Sequence, residues 1–235
     1  MPSAVSHHKS DPVAQPAESS GAQTRRIFLL SPANIAGRRA AMLLNEEAGF
    51  ELAVRLRSEG ASLGEVFSFI SGLYFRGKLA YAQRFNAAPP GAPGVLVITA
   101  CGGLIPPETL MAANRLREIC NAQVDCSNRR YREALDRDAR SLAKLSDHSC
   151  QIILLGSIAT PKYTEPLLEI FGERLFFPAE FAGRGDMSRG GLMLRCVESG
   201  IPLTYLSLHN AERHGPKPPK LIPRRTSSAL VSKAT

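Results

Sequence analysis

No apolar run in these 235 residues reaches the roughly 18 that a membrane-spanning helix requires. The first residues also lack the apolar core of a secretory leader, so a soluble, cytoplasmic chain without membrane partners is expected. The cysteines are few and odd in number, at 101, 120, 126, 150 and 196, and contain no C-x-x-C pair. That excludes a sequence-encoded disulfide frame or zinc site and predicts reduced, mostly buried thiols. No internal repeat is found, and neither cofactor nor metal is called for.

What is present is 44% hydrophobic content, enough for one domain with a sizeable core. The net charge of +8 is unevenly spread. From His209 onward, six Lys/Arg face Glu212 alone in a Pro-rich stretch. Residues 1–24 are rich in Ser, Ala, Pro and Gln. The expected organisation is a disordered segment (1–24), an α/β domain (25–208) and a disordered basic tail (209–235). The middle is mildly basic, which by itself does not establish nucleic-acid binding.

Five short apolar runs read as strands: Arg26 to Ser31, Val95 to Ala100, Gln151 to Gly156, Arg174 to Pro178 and Leu203 to Leu208. Between them, helices are expected over 33–44, 50–58, a segment opened by the capping box Ser62-Leu-Gly-Glu65, 78–85, 108–120, 131–145, a stretch ending at Phe171, and 187–199. Strands alternating with helices predict an α/β fold whose sheet is largely parallel or mixed and flanked by helices. Ligands of such sheets gather at the carboxyl ends of the strands. Those ends carry Ser31 and Asn34, Cys101 and Gly103, Ser157 and Tyr163, and the loop from Gly183 to Gly191. They are expected to converge on one cleft.

The chain reads as organised around that last loop, where Arg184, Gly185, Asp186, Ser188 and Arg189 lead into a helix. Glycine backbone, a helix start and arginine forks together favour an anion. The loop is neither a dinucleotide fingerprint nor a P-loop, because the third glycine and the Lys-Ser/Thr pair are missing. The plain alternative is a glycine-rich turn with Asp186 or Ser188 as the helix cap. Glu180 is the best single carboxylate for acid/base work, with a salt bridge to Arg184 or a loop hydrogen bond as its ordinary role. Cys101 reads as an inert thiol, since no histidine in the neighbouring loops activates it.

A second glycine turn, Gly72-Leu-Tyr-Phe-Arg-Gly77, joins two helices. Tyr74, Arg76, Gly77 and Lys78 would there meet a DNA backbone through sequence-independent phosphate contacts. An ordinary turn between helices is the alternative, because the two glycines stand five residues apart.

Several segments, taken in order, resemble the YaaA family of peroxide stress proteins. They are Leu29-Leu-Ser-Pro-Ala33, Phe69 to Phe85, Gly103-Leu-Ile-Pro-Pro107, Ile153-Leu-Leu-Gly-Ser157 with Tyr163, and Arg184-Gly-Asp-Met-Ser-Arg189. Asn34 stands where that family has lysine, and Pro106 where it has a basic residue. The resemblance covers about residues 27–195. It implies an α/β fold with a helix-hairpin-helix-like insertion, binding of double-stranded DNA and protection against oxidative damage. The reading of the residues adds an alternative, an enzyme acting on a nucleotide or nucleobase in the strand-end cleft.

Overall fold

A computed structural model describes residues 24–120, 123–209, 211, 218, 219 and 221. The segments expected to be disordered therefore lie outside the described residues, apart from Thr24, His209, Ala211, Pro218, Pro219 and Leu221. Along the chain run β1 (Arg26–Leu30), α1 (Arg38–Leu44), α2 (Glu51–Ser58), β2 (Ala61–Ser62), α3 (Leu63–Ser71) and α4 (Leu73–Phe85). Then follow β3 (Val95–Ile98), β4 (Leu104–Ile105), β5 (Leu110–Met111), α5 (Ala113–Cys120) and α6 (Arg129–Leu145). The last elements are β6 (Gln151–Leu155), α7 (Pro161–Phe171), β7 (Leu175–Pro178), α8 (Asp186–Ser199) and β8 (Tyr205–Ser207).

Six strands form one mixed sheet in the order β4-β3-β1-β6-β7-β8. The inner strands are parallel: β1 pairs with β3 and β6, and β6 pairs with β7. Both edges are antiparallel, β4 on β3 and β8 on β7. Side chains alternate across the pleat, so each inner strand feeds two cores. Phe28 and Leu30 join Val95, Val97, Ile153 and Leu155 beneath α3, α4, α5 and α8. Ile27 and Leu29 join Leu96, Ile98, Ile152 and Leu154 beneath α6 and α7. Each fully buried side chain of this size contributes about 1.5–3 kcal/mol, which is why both faces stay covered.

Several local expectations change. Residues 33–37 precede the first helix and form a loop, in which the Asn34 side chain accepts from the Ala36 amide at 3.0 Å. The stretch expected as a helix from Glu108 begins with β5, which pairs antiparallel with β2, and turns helical at Ala113. The capping box half forms: Ser62 Oγ accepts from the Glu65 amide at 3.2 Å, while Glu65 itself pairs with Arg55. The link between α3 and α4 is Gly72 alone, at φ 61°, rather than the whole of Gly72 to Gly77. Gly77 thereby becomes an interior residue of α4.

That placement gives Gly77 a packing role. Helices α4 and α8 cross with Gly77 against Gly190, and a Cβ on Gly77 would lie 2.7 Å from the Gly190 carbonyl oxygen. The same close crossing carries Tyr74, about one turn before Gly77, and Lys78, the next residue, toward the end of β1.

Candidate functional site: a cleft at the carboxyl ends of the strands

Beyond the carboxyl ends of β1, β3 and β6 lies a cleft of about 1100 Å³. Ser31 and the following loop, Ala100, Ser157 and Tyr163 line it from the sheet side. Tyr74 from α4 and Asp186 from α8 close another side. Arg117 and Lys162 add cations and Asp125 a further carboxylate, so the charged lining is mixed in sign. Asn34 and Gln123 supply side-chain amides, and Ile35 and Val124 supply apolar wall. The position follows from topology, since parallel strands send all their carboxyl-end loops to one side.

Behind the cleft sits Lys78, 1% exposed. Its Nζ donates to the Ser31 carbonyl at 2.5 Å and to Ser31 Oγ at 2.9 Å. It also lies 4.4 Å from the centre of the Tyr74 ring and 4.9 Å from that of Phe75. Burial pushes the Lys78 amine down to about 7, with Asp186 opposing that shift and Arg189 adding to it. Near neutral pH the amine is therefore divided between its charged and free forms.

The Tyr74 hydroxyl is buried and, among the described residues, has no hydrogen-bond partner. Arg189 and Ser31 lie near it without completing a bond, while burial raises the phenol above its ordinary range. It thus remains a protonated donor. Burial raises the Tyr163 phenol too, with Tyr74 and Asp186 contributing. Arg189 is held by α8's own surroundings: Nε and Nη2 donate to the Phe181 carbonyl at 3.2 and 2.9 Å. Its Nη1 lies 3.6 Å from Asp186 Oδ1.

The residues singled out by sequence fall in different places. Ser31, Asn34, Ser157, Tyr163 and Tyr74 share the cleft, and Asp186 joins them from the glycine-rich loop. Arg76 is exposed, but Gly77 and Lys78 are buried, which corrects their expected place on an open phosphate-binding turn. Gly103 does not line the cleft; it is pressed under α6, where the Leu104 amide donates to Asp138 at 2.9 Å. Gly185 is the residue before α8, and no side chain caps that helix, so neither Asp186 nor Ser188 takes the expected capping role. Arg184 donates to Ser188 Oγ and to the Pro219 carbonyl, both at 3.3 Å.

Glu180 also lies outside the cleft lining. Its Oε1 accepts from the Thr204 amide at 3.1 Å, and its Oε2 is buried without a partner among the described residues. The carboxylates that reach the cleft are Asp125 and Asp186 instead. The five cysteines are free, and no group of three or more His, Cys, Asp or Glu among the described residues is placed to hold a metal ion. No helix of the described residues is long and apolar enough to cross a membrane.

Lys78 is the residue whose role sequence reading misses. Its signal lies in the helical pattern, because Tyr74, Phe75, Lys78, Tyr81 and Ala82 share the buried side of α4. A lysine on an apolar helix face marks a charge that needs a specific partner. Comparison with family models, with curated proteins and with solved structures finds no match to this chain.

Proposed function

We propose that the chain is an enzyme acting on a nucleotide or nucleobase held in the strand-end cleft. The observation that carries this reading is the buried, unpartnered Tyr74 hydroxyl at a cleft shared by Ser31, Asn34, Ser157 and Tyr163. An orphaned buried donor costs about 1–3 kcal/mol, and a ligand acceptor recovers that cost. Amide side chains at Asn34 and Gln123 suit the mixed donor and acceptor edge of a base, while Lys162 and Arg117 suit a phosphate. Mixed charge in the lining favours a small ligand over a polyanion. Titration calorimetry with free bases, nucleosides and nucleoside monophosphates tests this. At least one should bind, and Tyr74→Phe should weaken it about tenfold, the value of one lost hydrogen bond. Absence of binding across the panel at millimolar ligand would remove the proposal.

Binding of double-stranded DNA is the second reading, part of the proposed kinship with the YaaA family and a cytoplasmic role in oxidative-stress protection. Its supports are the ordered motifs, the net charge of +8 and the exposed Arg76. Arg184 and Arg189 are its further candidates, although both already hold protein partners. Affinity for unrelated duplexes should then fall steeply with salt and persist in a protein ending at residue 208. Loss of binding with the tail would assign it to residues 209–235 alone.

A further inference from the structure

We propose that Ser31 and Lys78 form a nucleophile and base pair for acyl transfer, with an ester or amide as the substrate class. The inference rests on the cleft being an active site and adds the bond that is cut. Ser31 lines the cleft, and its Oγ lies 2.9 Å from the buried Lys78 Nζ. Lys78 itself does not line the cleft, so a substrate meets the hydroxyl first. The 2.5 Å bond to the Ser31 carbonyl fixes the amine's direction. In its free form the amine keeps that donation and turns its lone pair to the Oγ proton.

Space beside the hydroxyl is preserved as well. Gly156 follows β6 next to Ser31, and a Cβ there would lie 3.1 Å from Ser31 Cβ and 3.4 Å from Oγ. Tyr74 lines the same cleft, and its buried hydroxyl, near Ser31, completes no hydrogen bond among the described residues. Burial, which favours the uncharged amine, makes Lys78 fit to accept a proton near pH 7. Asp186 and Arg189 of α8, together with Tyr74 of α4, are the charged or titratable groups that face it.

In the first half-reaction the Oγ proton passes to Lys78 Nζ while an Oγ lone pair bonds the carbonyl carbon. Tyr74 donates to the carbonyl oxygen as negative charge develops there. The carbon-to-leaving-group bond breaks, and the leaving group departs with its electron pair and the proton from the Lys78 ammonium. Water then attacks the Ser31 ester and gives a proton to Lys78. The acid leaves as that proton returns to Oγ. Every proton taken up by Lys78 is thus released within the cycle.

The test uses full-length protein and an alkyl fluorophosphonate, with adducts mapped by peptide mass spectrometry. A single adduct on Ser31 is expected, lost in Ser31→Ala and unchanged in Ser141→Ala on the far surface of α6. The labelling rate should rise about fifty-fold between pH 5 and 7 and then level, as the free amine fills. Lys78→Met should abolish labelling while its circular dichroism stays that of the wild type. If that variant does not fold, the wild-type pH profile decides alone. No adduct, an adduct retained in Ser31→Ala, or a flat pH profile overturns the proposal. Wild-type protein that binds a nucleoside monophosphate but takes no label on Ser31 leaves the cleft reading standing and removes the acyl-transfer step. A label on Ser31 without nucleotide binding has the opposite meaning.

Discussion

Gly77 of α4 and Gly190 of α8 touch backbone to backbone: a Cβ on Gly190 would lie 2.8 Å from the Leu73 carbonyl oxygen and 2.9 Å from Tyr74 Cα. The obstructing atoms are backbone, so no side-chain rotation relieves the clash. Gly77→Ala and Gly190→Ala should each destabilise the fold by about 1–3 kcal/mol, measured by urea unfolding. Gly190→Ala should also weaken ligand binding, because the helix separation it forces moves Tyr74.

Lys78 predicts a pH dependence of stability. Its pKa is about 7 when folded, against an ordinary value of 10.5 when the chain unfolds. Between those values the unfolded chain binds the extra proton, so stability rises with pH through this window and the group has no further effect below it. The slope contributed is at most about 1.4 kcal/mol per pH unit. Urea midpoints taken between pH 7 and 8 should climb in the wild type and lose that slope in Lys78→Met. The upper limit matters because the Cys120, Cys150 and Cys196 thiols, pushed up by burial, act in the opposite direction as pH nears 9, and the buried Tyr81 and Tyr131 phenols do the same near pH 10.

Tyr74→Phe separates packing from function. The ring fills the same space, and only a hydroxyl without a partner among the described residues is removed. Stability without ligand should stay level or rise by about 1–3 kcal/mol. A loss of stability on urea unfolding would mean that the hydroxyl has a protein or water partner, and the cleft would then lose its free donor.

For Arg189 the structure favours an internal role. Two donations to the Phe181 carbonyl and a 3.6 Å approach to Asp186 hold a guanidinium whose side chain is 12% exposed. Arg189→Ala should cost about 1.5–3 kcal/mol, the range for a hydrogen bond to a charged group, seen as a lowered urea midpoint. Unchanged stability with weakened DNA affinity would instead restore the phosphate-binding role expected from sequence.

The sheet is legible in the sequence because its inner strands are buried on both faces and therefore read as apolar runs, as Ile27 to Leu30 and Ile152 to Leu155 do. Convergence of Ser31, Ser157 and Tyr163 is legible for the same reason, since parallel strands dictate where their loops meet. Strands β4 and β5 are not, being two residues each and fixed by tertiary pairing rather than by any local pattern. The Gly72 to Gly77 stretch misleads because glycine serves both turns and close helix crossings. Only the partner glycine on α8, more than a hundred residues away, decides between them. Asp186 replaces Glu180 at the cleft for a similar reason: the short turn after β7 directs Glu180 to the Thr204 amide.

Whether residues from β1, α4, α7 and α8 form one ligand site is tested most directly by amide chemical-shift mapping. Full-length labelled protein would receive AMP, GMP, CMP and UMP separately, each to millimolar concentration. Saturable shifts are expected for at least one nucleotide, grouped in residues 31–36, 157–163 and the start of α8, with a midpoint about tenfold higher in Tyr74→Phe. Shifts confined to residues 209–235, or none with any of the four, would contradict a shared site.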